Sequence, residues 1–187
     1  MRDKVQNTYD LESKSYGIGY TNKGEEFYFD KEDYDKIKDY YWHIRNGYVI
    51  SKNSSSKKIV HMHRLLLPTD KMVDHINHNK ADNRKCNLRP VTVAQNGYNR
   101  KISSHNTSGV NGVSYDNYYK KWRAYIGLGN KDIKLGFFKN FDDAVKARKE
   151  AEERYFGEYS YDNSINKNSL TETEDDDGKI REEKCSE

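Results

Sequence analysis

The chain has little of what would assign it quickly to a class. It has two cysteines in 187 residues, Cys86 and Cys185, far apart and with no CxxC. That supports neither a disulfide framework nor a zinc ribbon. No run of ~18 apolar residues occurs, and the opening "MRDKVQNTYD" lacks an apolar signal core, so neither a membrane span nor an export signal is expected. Hydrophobic residues make up 34% of the chain, below the usual ~45–50%, which argues against one large core. The 16 tyrosines compensate in part, because each buries a ring while keeping a polar tip, and this suits thin sheets and polar interfaces. A cytoplasmic protein is expected, in the host cytosol if a phage encodes it.

The formal net charge of +3 hides an asymmetry. The tail "TETEDDDGKIREEKCSE", from Thr171, holds 8 acidic and 3 basic residues, a balance of −5, which leaves +8 on the preceding 170 residues. A basic body points to a polyanionic partner, most often nucleic acid. The tail has no apolar period and reads as disordered over residues 161–187.

The patterning predicts an α+β protein in three parts. Residues 1–60 read as a small β-hairpin and helix module. "YGIGYT" and "EEFYFD" flank an "NKG" turn; "DKEDYDKIKDYYW" places Tyr34, Ile37 and Tyr41 at helical spacing; "NGYVIS" and "KIVHMHRLLL" read as a second strand pair. Residues 61–100 are polar and asparagine-rich. Residues 101–107 read as a basic linker. Residues 108–160 form the most regular part, with "GVNGVSYD", "KWRAYIGL" and "DIKLGFFK" as three strands. "NFDDAVKARKEAEERYFG" follows as a helix with Asn140 as N-cap and Gly157 past its end.

The chemistry concentrates in "KMVDHINHNKADNRKCNLRPVTVAQN", Lys71 to Asn96. Met72 and Val73 precede Asp74 and His75, so an acid and an imidazole fall at a strand end, and the turn residues that follow let the chain return. A short helix opening after Pro90 and Thr92 could carry Asn96 back towards Asp74. One carboxylate and one carboxamide oxygen make a sparse oxygen site for a hard cation such as Mg²⁺, completed by water and phosphate. The neighbouring imidazole, with an ordinary pKa near ~6.5, is available to take a proton from water. The competing reading is a polar loop whose His and Asn side chains merely cap turns.

"VDHINHNKADNRKCNLRPVTVAQN" resembles the HNH endonuclease motif, the ββα-metal fold of phage-type and intron-type (homing) nucleases. The resemblance runs from about His61 to Arg100. It implies that Asp74 and Asn96 hold one divalent metal, that His75 is the general base, and that Asn87 bonds backbone across the loop to hold His75. Where many relatives carry histidine, this chain has Asn96, an oxygen-only ligand that favours Mg²⁺ or Mn²⁺ over Zn²⁺. The implied products are a 5′-phosphate and a 3′-hydroxyl. Arg84, Arg89 or Arg100 could clamp the phosphate. His78 is expected on the loop surface, at a position where relatives often carry glycine. His61 and His63 are expected on the strand beside the site, with His63 supporting the site or simply packed.

In the third part the strand alternation separates two faces. Trp122, Ala124, Ile126, Ile133, Leu135 and Phe137 read as one apolar face, covered by the helix. Lys121, Arg123, Tyr125 and Lys134 read as a bare, basic and aromatic face. Such a sheet fits the ~12 Å major groove. Arg123 would read a base, Lys121 and Lys134 would bind phosphate, Tyr125 would pack on sugar or a thymine methyl, and Arg100 and Lys101 would add contacts at the linker. "SGVNGVSYD", "KWRAYI", "LGFF" and "DDAVKARKEAEERYFGE" resemble the APETALA-type domain of plant ethylene-response factors, which implies a DNA-binding sheet. Asn111, Ser114 and Lys134 replace residues that read DNA or pack there in plant domains, so the plant target does not transfer.

Together these readings predict a magnesium- or manganese-dependent endonuclease acting on double-stranded DNA as a monomer, without a small-molecule cofactor or a membrane. The alternatives are a DNA-binding regulator that has lost catalysis and a nuclease acting on RNA. The full set Asp74, His75, Asn87 and Asn96 argues against the first. The lack of an aromatic stacking platform argues against the second.

Overall fold

The computed structural model describes residues 6–52, 57–100 and 102–161 in full, and the backbone of 173–174 and 180–181. Lys101 and most of the acidic tail, both singled out from the sequence, lie outside the described residues. The architecture is mixed α/β, built from small antiparallel sheets and few helices, as the patterning predicts. No helix among the described residues is long and apolar enough to cross a membrane. The chain divides into two compact units, one reaching Val91 and the other beginning at Thr92.

The first unit opens with β1 (Thr8–Asp10), β2 (Gly17–Tyr20) and β3 (Glu26–Phe29), an antiparallel sheet in the order β1-β2-β3. Gly17 and Gly19 stand opposite Phe29 and Phe27, and a Cβ at Gly19 would lie 2.2 Å from the Phe27 ring. The bare backbone lets both rings lie flat across the neighbouring strand, where each is fully buried. A 3₁₀ turn (Lys31–Asp33) runs into α1 (Tyr34–Ile37), shorter than the helical spacing to Tyr41 predicts. Trp42 stops it: its indole N–H donates to the Ile37 carbonyl (2.9 Å), and Trp42 rather than Tyr41 is buried.

β4 (His43–Arg45), β5 (Tyr48–Lys52) and β6 (Ile59–His61) form the second sheet. "KIVHMHRLLL" is not one strand. It leaves the sheet at His61 and continues as α2 (Met62–Leu66), which puts His63 on a helix and not on the strand predicted for it. The driving force is burial: Met62 and Leu66, four residues apart, enter a core with Phe27, Phe29, Ile37, Trp42 and Val49. The N-terminal module therefore completes the core under the polar motif, and Ala81 of that motif packs against the same cluster. β7 (Met72–His75) and β8 (Leu88–Val91) close the unit as an antiparallel hairpin. Cys86 lies in the 3₁₀ turn Lys85–Asn87 before β8.

The second unit begins with α3 (Val93–Tyr98), opened by a capping box between Thr92 and Gln95. β9 (Val113–Asp116), β10 (Lys121–Leu128) and β11 (Lys131–Phe138) follow in the order β11-β10-β9, packed on α4 (Phe141–Tyr155). Trp122, Ala124 and Ile126 face the helix as the alternation requires. Phe137 does not. The pairing slips between Ala124 and Tyr125, which stand opposite Gly136 and Lys134, so one residue of β11 is extra there. Gly136 takes a φ of 141° at this bulge, Phe138 turns into the core, and Phe137 turns out with 43% of its surface exposed. At the same place the buried Arg148 of α4 donates to the Tyr125 carbonyl (2.7 Å) and pairs with Glu152 (2.8 Å). In α3, Tyr98 stacks on Phe156 at 4.0 Å between ring centres, which fastens that helix to this unit. β12 (Thr173–Glu174) and β13 (Ile180–Arg181) pair antiparallel.

Candidate active site

His75 ends β7 and is 5% exposed. Beyond it the chain makes a twelve-residue loop, whose first turn closes with His78 N–H donating to the His75 carbonyl (3.0 Å). His78 takes a φ of 61°, the left-handed region that glycine favours, and is half-buried instead of lying fully on the surface. Asn87 spans the loop: its Oδ1 accepts from the Asn77 N–H (2.9 Å), and its Nδ2 donates to the Asp82 carbonyl (2.8 Å). Ile76 N–H donates to the Asn87 carbonyl (2.9 Å) and continues the hairpin ladder past His75. The Asn87 side chain thus ties two points of the loop together, alongside the shorter turn bonds that the Asn77 and Asn79 side chains accept.

The loop is also fastened to the first sheet. Tyr28 N–H donates to the Ala81 carbonyl (2.9 Å), and Asn83 N–H donates to the Tyr28 carbonyl (2.8 Å). Lys85 N–H donates to Asp30 (2.7 Å), and its ammonium bonds Glu32 and reaches the buried Asp33 at 3.3 Å. The buried Asp82 takes a two-pronged pair from Arg84 (2.8 and 2.7 Å), whose guanidinium lies over the Tyr16 ring at 4.4 Å. Arg84 therefore serves the fold.

Around His75 the surroundings are rings, and the imidazole is buried. The His63 ring stands edge-on to it at 5.1 Å, Tyr48 lies at 6.0 Å, and His61 lies 5.3 Å from His63. Burial pushes the His75 pKa down, against smaller upward pulls from Asn83 and Asp74. For His63, burial and the neighbouring His75, His61 and Arg64 charges push the value down to about 3. Both imidazoles are neutral at pH 7. Asn83, fully buried, donates its Nδ2 to the Ala81 carbonyl (3.1 Å), which turns its Oδ1 towards His75 Nε2 at 3.5 Å. That orientation favours the Nε2–H tautomer and keeps the Nδ1 lone pair as the acceptor.

Asp74 points to the other face of β7. It stands directly opposite Arg89 of β8, and its Oδ2 accepts from Arg89 Nε (3.1 Å) and Nη2 (3.0 Å). Both side chains are little exposed, at 11% and 12%. Among the described residues no three His, Cys, Asp or Glu side chains are grouped to hold a metal ion. Asp74, His75 and Asn87 stand in the first unit. Asn96 lies half-buried on α3, at the start of the second.

Asn83 and the Asp74–Arg89 pair are not read from the sequence. The signal for the pair is positional: the two residues lie equally far from the middle of the loop, so a regular hairpin must place them opposite each other. In the second unit Lys121, Arg123 and Lys134 are exposed and Tyr125 is half-buried. The Arg123 guanidinium lies 5.3 Å from the Tyr125 ring centre. Phe137, turned out by the bulge, stands opposite Arg123 and packs on Tyr119 at 5.0 Å. Arg100 is exposed, and its carbonyl accepts from Asn111 (3.1 Å).

Residues 59–98 match the family model described as HNH endonuclease. The chain carries an HNH endonuclease domain and is a nuclease. Over 138 residues it is 29% identical to an uncharacterised HNH endonuclease of Acanthamoeba polyphaga mimivirus, an alignment that covers 69% of this chain and 70% of that one. No solved structure matches the chain significantly.

Proposed function

We propose that the protein hydrolyses phosphodiester bonds of double-stranded DNA with a divalent metal ion, leaving 5′-phosphate and 3′-hydroxyl ends, and that its second unit targets the cut. The observation that carries this reading is His75: buried, neutral, aimed by Asn83, and directly after Asp74 in the chain inside the matched domain. An imidazole kept uncharged by burial is a proton acceptor at neutral pH and needs no prior deprotonation.

The donor chemistry fits a hard cation. Asp74 offers carboxylate oxygen and Asn96 amide oxygen, and no thiolate is involved, so Mg²⁺ or Mn²⁺ suits these two residues better than Zn²⁺. When bound, such an ion stabilises the negative charge that develops on the phosphate and the leaving oxygen. The other parts belong to the chain. His75 removes a proton from water, the water oxygen bonds to phosphorus, and the P–O3′ bond breaks. The imidazolium that results is favoured by the negative charges of Asp74 and Asp82, whose fields reach His75. Asn87 holds the loop so that His75 keeps its place through the turnover.

The sheet face of the second unit supports the targeting role through its exposed cations Lys121, Arg123 and Lys134 and the ring of Tyr125. Lys121 and Lys134 would hold phosphates and Arg123 would read a base edge. Arg100 and Lys101 would add backbone contacts. The test is cleavage of long duplex DNA with and without Mg²⁺, followed by mapping of the ends. Cleavage that needs the metal and leaves ligatable 5′-phosphates is expected. Cleavage that persists in chelator, or that leaves 3′-phosphates, would refute the proposed chemistry.

A further inference from the structure

The Asp74–Arg89 pair poses a problem that the catalytic reading does not resolve. The carboxylate assigned to the metal is already neutralised by a guanidinium bonded through two nitrogens to the same oxygen. The pairing is built into the hairpin, because Asp74 and Arg89 are cross-strand partners, and both are largely shielded from solvent. A cation approaching Asp74 meets a positive charge held about 3 Å from one of its two oxygens, in surroundings that screen charge weakly. Cation and guanidinium therefore compete for one carboxylate.

A guanidinium displaced from a carboxylate needs another anion, and a phosphodiester offers two non-bridging oxygens that its N–H groups can bond. Of the three arginines the sequence offers as phosphate clamps, Arg84 is consumed by Asp82 and Tyr16. Of these three, Arg89 is the one seen bonded to a carboxylate of the proposed site among the described residues. We infer that Arg89 is a resident counter-ion of Asp74 that moves to the scissile phosphate when metal and DNA arrive, so that the site takes its metal weakly until substrate is present. This rests on the reading of Asp74 as a metal ligand and deepens it. Arg89 is a positioning residue for Asp74 in the resting state. By linkage, the phosphate that draws Arg89 away tightens the metal site by the same factor with which the metal tightens binding of the phosphate.

The experiment measures Mn²⁺ binding to the full chain without DNA, by electron paramagnetic resonance of the free ion. It uses the wild type, Arg89→Met, Asp74→Asn and the double variant, with folding checked by circular dichroism. Arg89→Met should bind Mn²⁺ about tenfold more tightly at one site. That site should vanish in the double variant, which separates it from ions held elsewhere on the chain. DNA cleavage by Arg89→Met should fall by about a hundredfold despite the tighter metal, because the phosphate loses its clamp. Unchanged or weaker Mn²⁺ binding in Arg89→Met overturns the inference and leaves the metal reading of Asp74 standing. A tightened site that survives Asp74→Asn overturns both. If Arg89→Met does not fold, Arg89→Lys keeps the charge but loses the two-pronged grip. It should also bind Mn²⁺ more tightly than wild type, and unchanged affinity there counts equally against the inference.

Discussion

His63 shows how much of this site depends on keeping imidazoles out of water. Its ring touches Tyr48, His61 and His75, and burial, with help from the nearby charges, holds its pKa down to about 3. In the unfolded chain the same group titrates near ~6.5. A depressed histidine favours the folded state fully above the unfolded value, and that contribution drains away as pH falls towards the folded value, because the unfolded chain then binds the extra proton. The melting temperature of the wild type should fall as pH drops from about 6.5 towards 4. His63→Gln, which cannot titrate, should show a shallower decline over the same window, and parallel curves would remove His63 as the cause. At this scale the sequence revealed much: an acid and an imidazole at a strand end, and, through the family resemblance, Asn87 as the residue that bonds backbone across the loop. It did not reveal Asn83 or the pairing of Arg89. Those depend on which way a buried amide turns and on the register of β7 against β8, and neither follows from residue type.

Among the elements, most strands and both longer helices were legible because their apolar positions repeat at the period of the structure they adopt. Two departures share a physical origin. "HMHRLLL" is apolar enough for strand or helix, and the choice fell to the core, which needed Met62 and Leu66 on one side. In β11 a strict two-residue alternation buries Phe137, yet the bulge at Gly136 inverts the strand beyond it and packs a half-buried Phe138 against the core instead. A glycine inside a strand was the available warning. Replacing Gly136 with Val puts a β-branched side chain at a φ of 141° and should destabilise the second unit by about 1–3 kcal/mol. Urea midpoints followed by tryptophan fluorescence measure this, Trp122 being on that sheet. A change below about 0.5 kcal/mol would mean that the bulge relaxes at little cost.

For the whole molecule, the charge asymmetry is the most direct link from composition to activity. A basic body of +8 against a tail of −5 predicts DNA binding dominated by counterion release. The three cations of the sheet face should contribute a slope of about −2 to −3 in the logarithm of affinity against the logarithm of salt. Lys121→Ala should reduce that slope by about one at any sequence. Arg123→Ala should cost roughly 1–3 kcal/mol on the preferred sequence and little elsewhere. Fluorescence anisotropy across a salt series separates the two, and an affinity that ignores salt would rule out the basic face as the DNA contact. The division into two units was less legible than the charge. The apolar content is split between a core under the first two sheets and two smaller clusters under the last, and only packing reveals where one ends.

The most direct measurement is single-turnover cleavage of duplex DNA by His75→Ala, with and without added imidazole. A general base at His75 predicts a loss of about 10²–10⁴-fold in rate with DNA affinity retained, and partial recovery by imidazole that follows its unprotonated fraction. Cleavage by the variant at the wild-type rate would contradict the account, because the proton would then leave the attacking water by a route that does not involve His75.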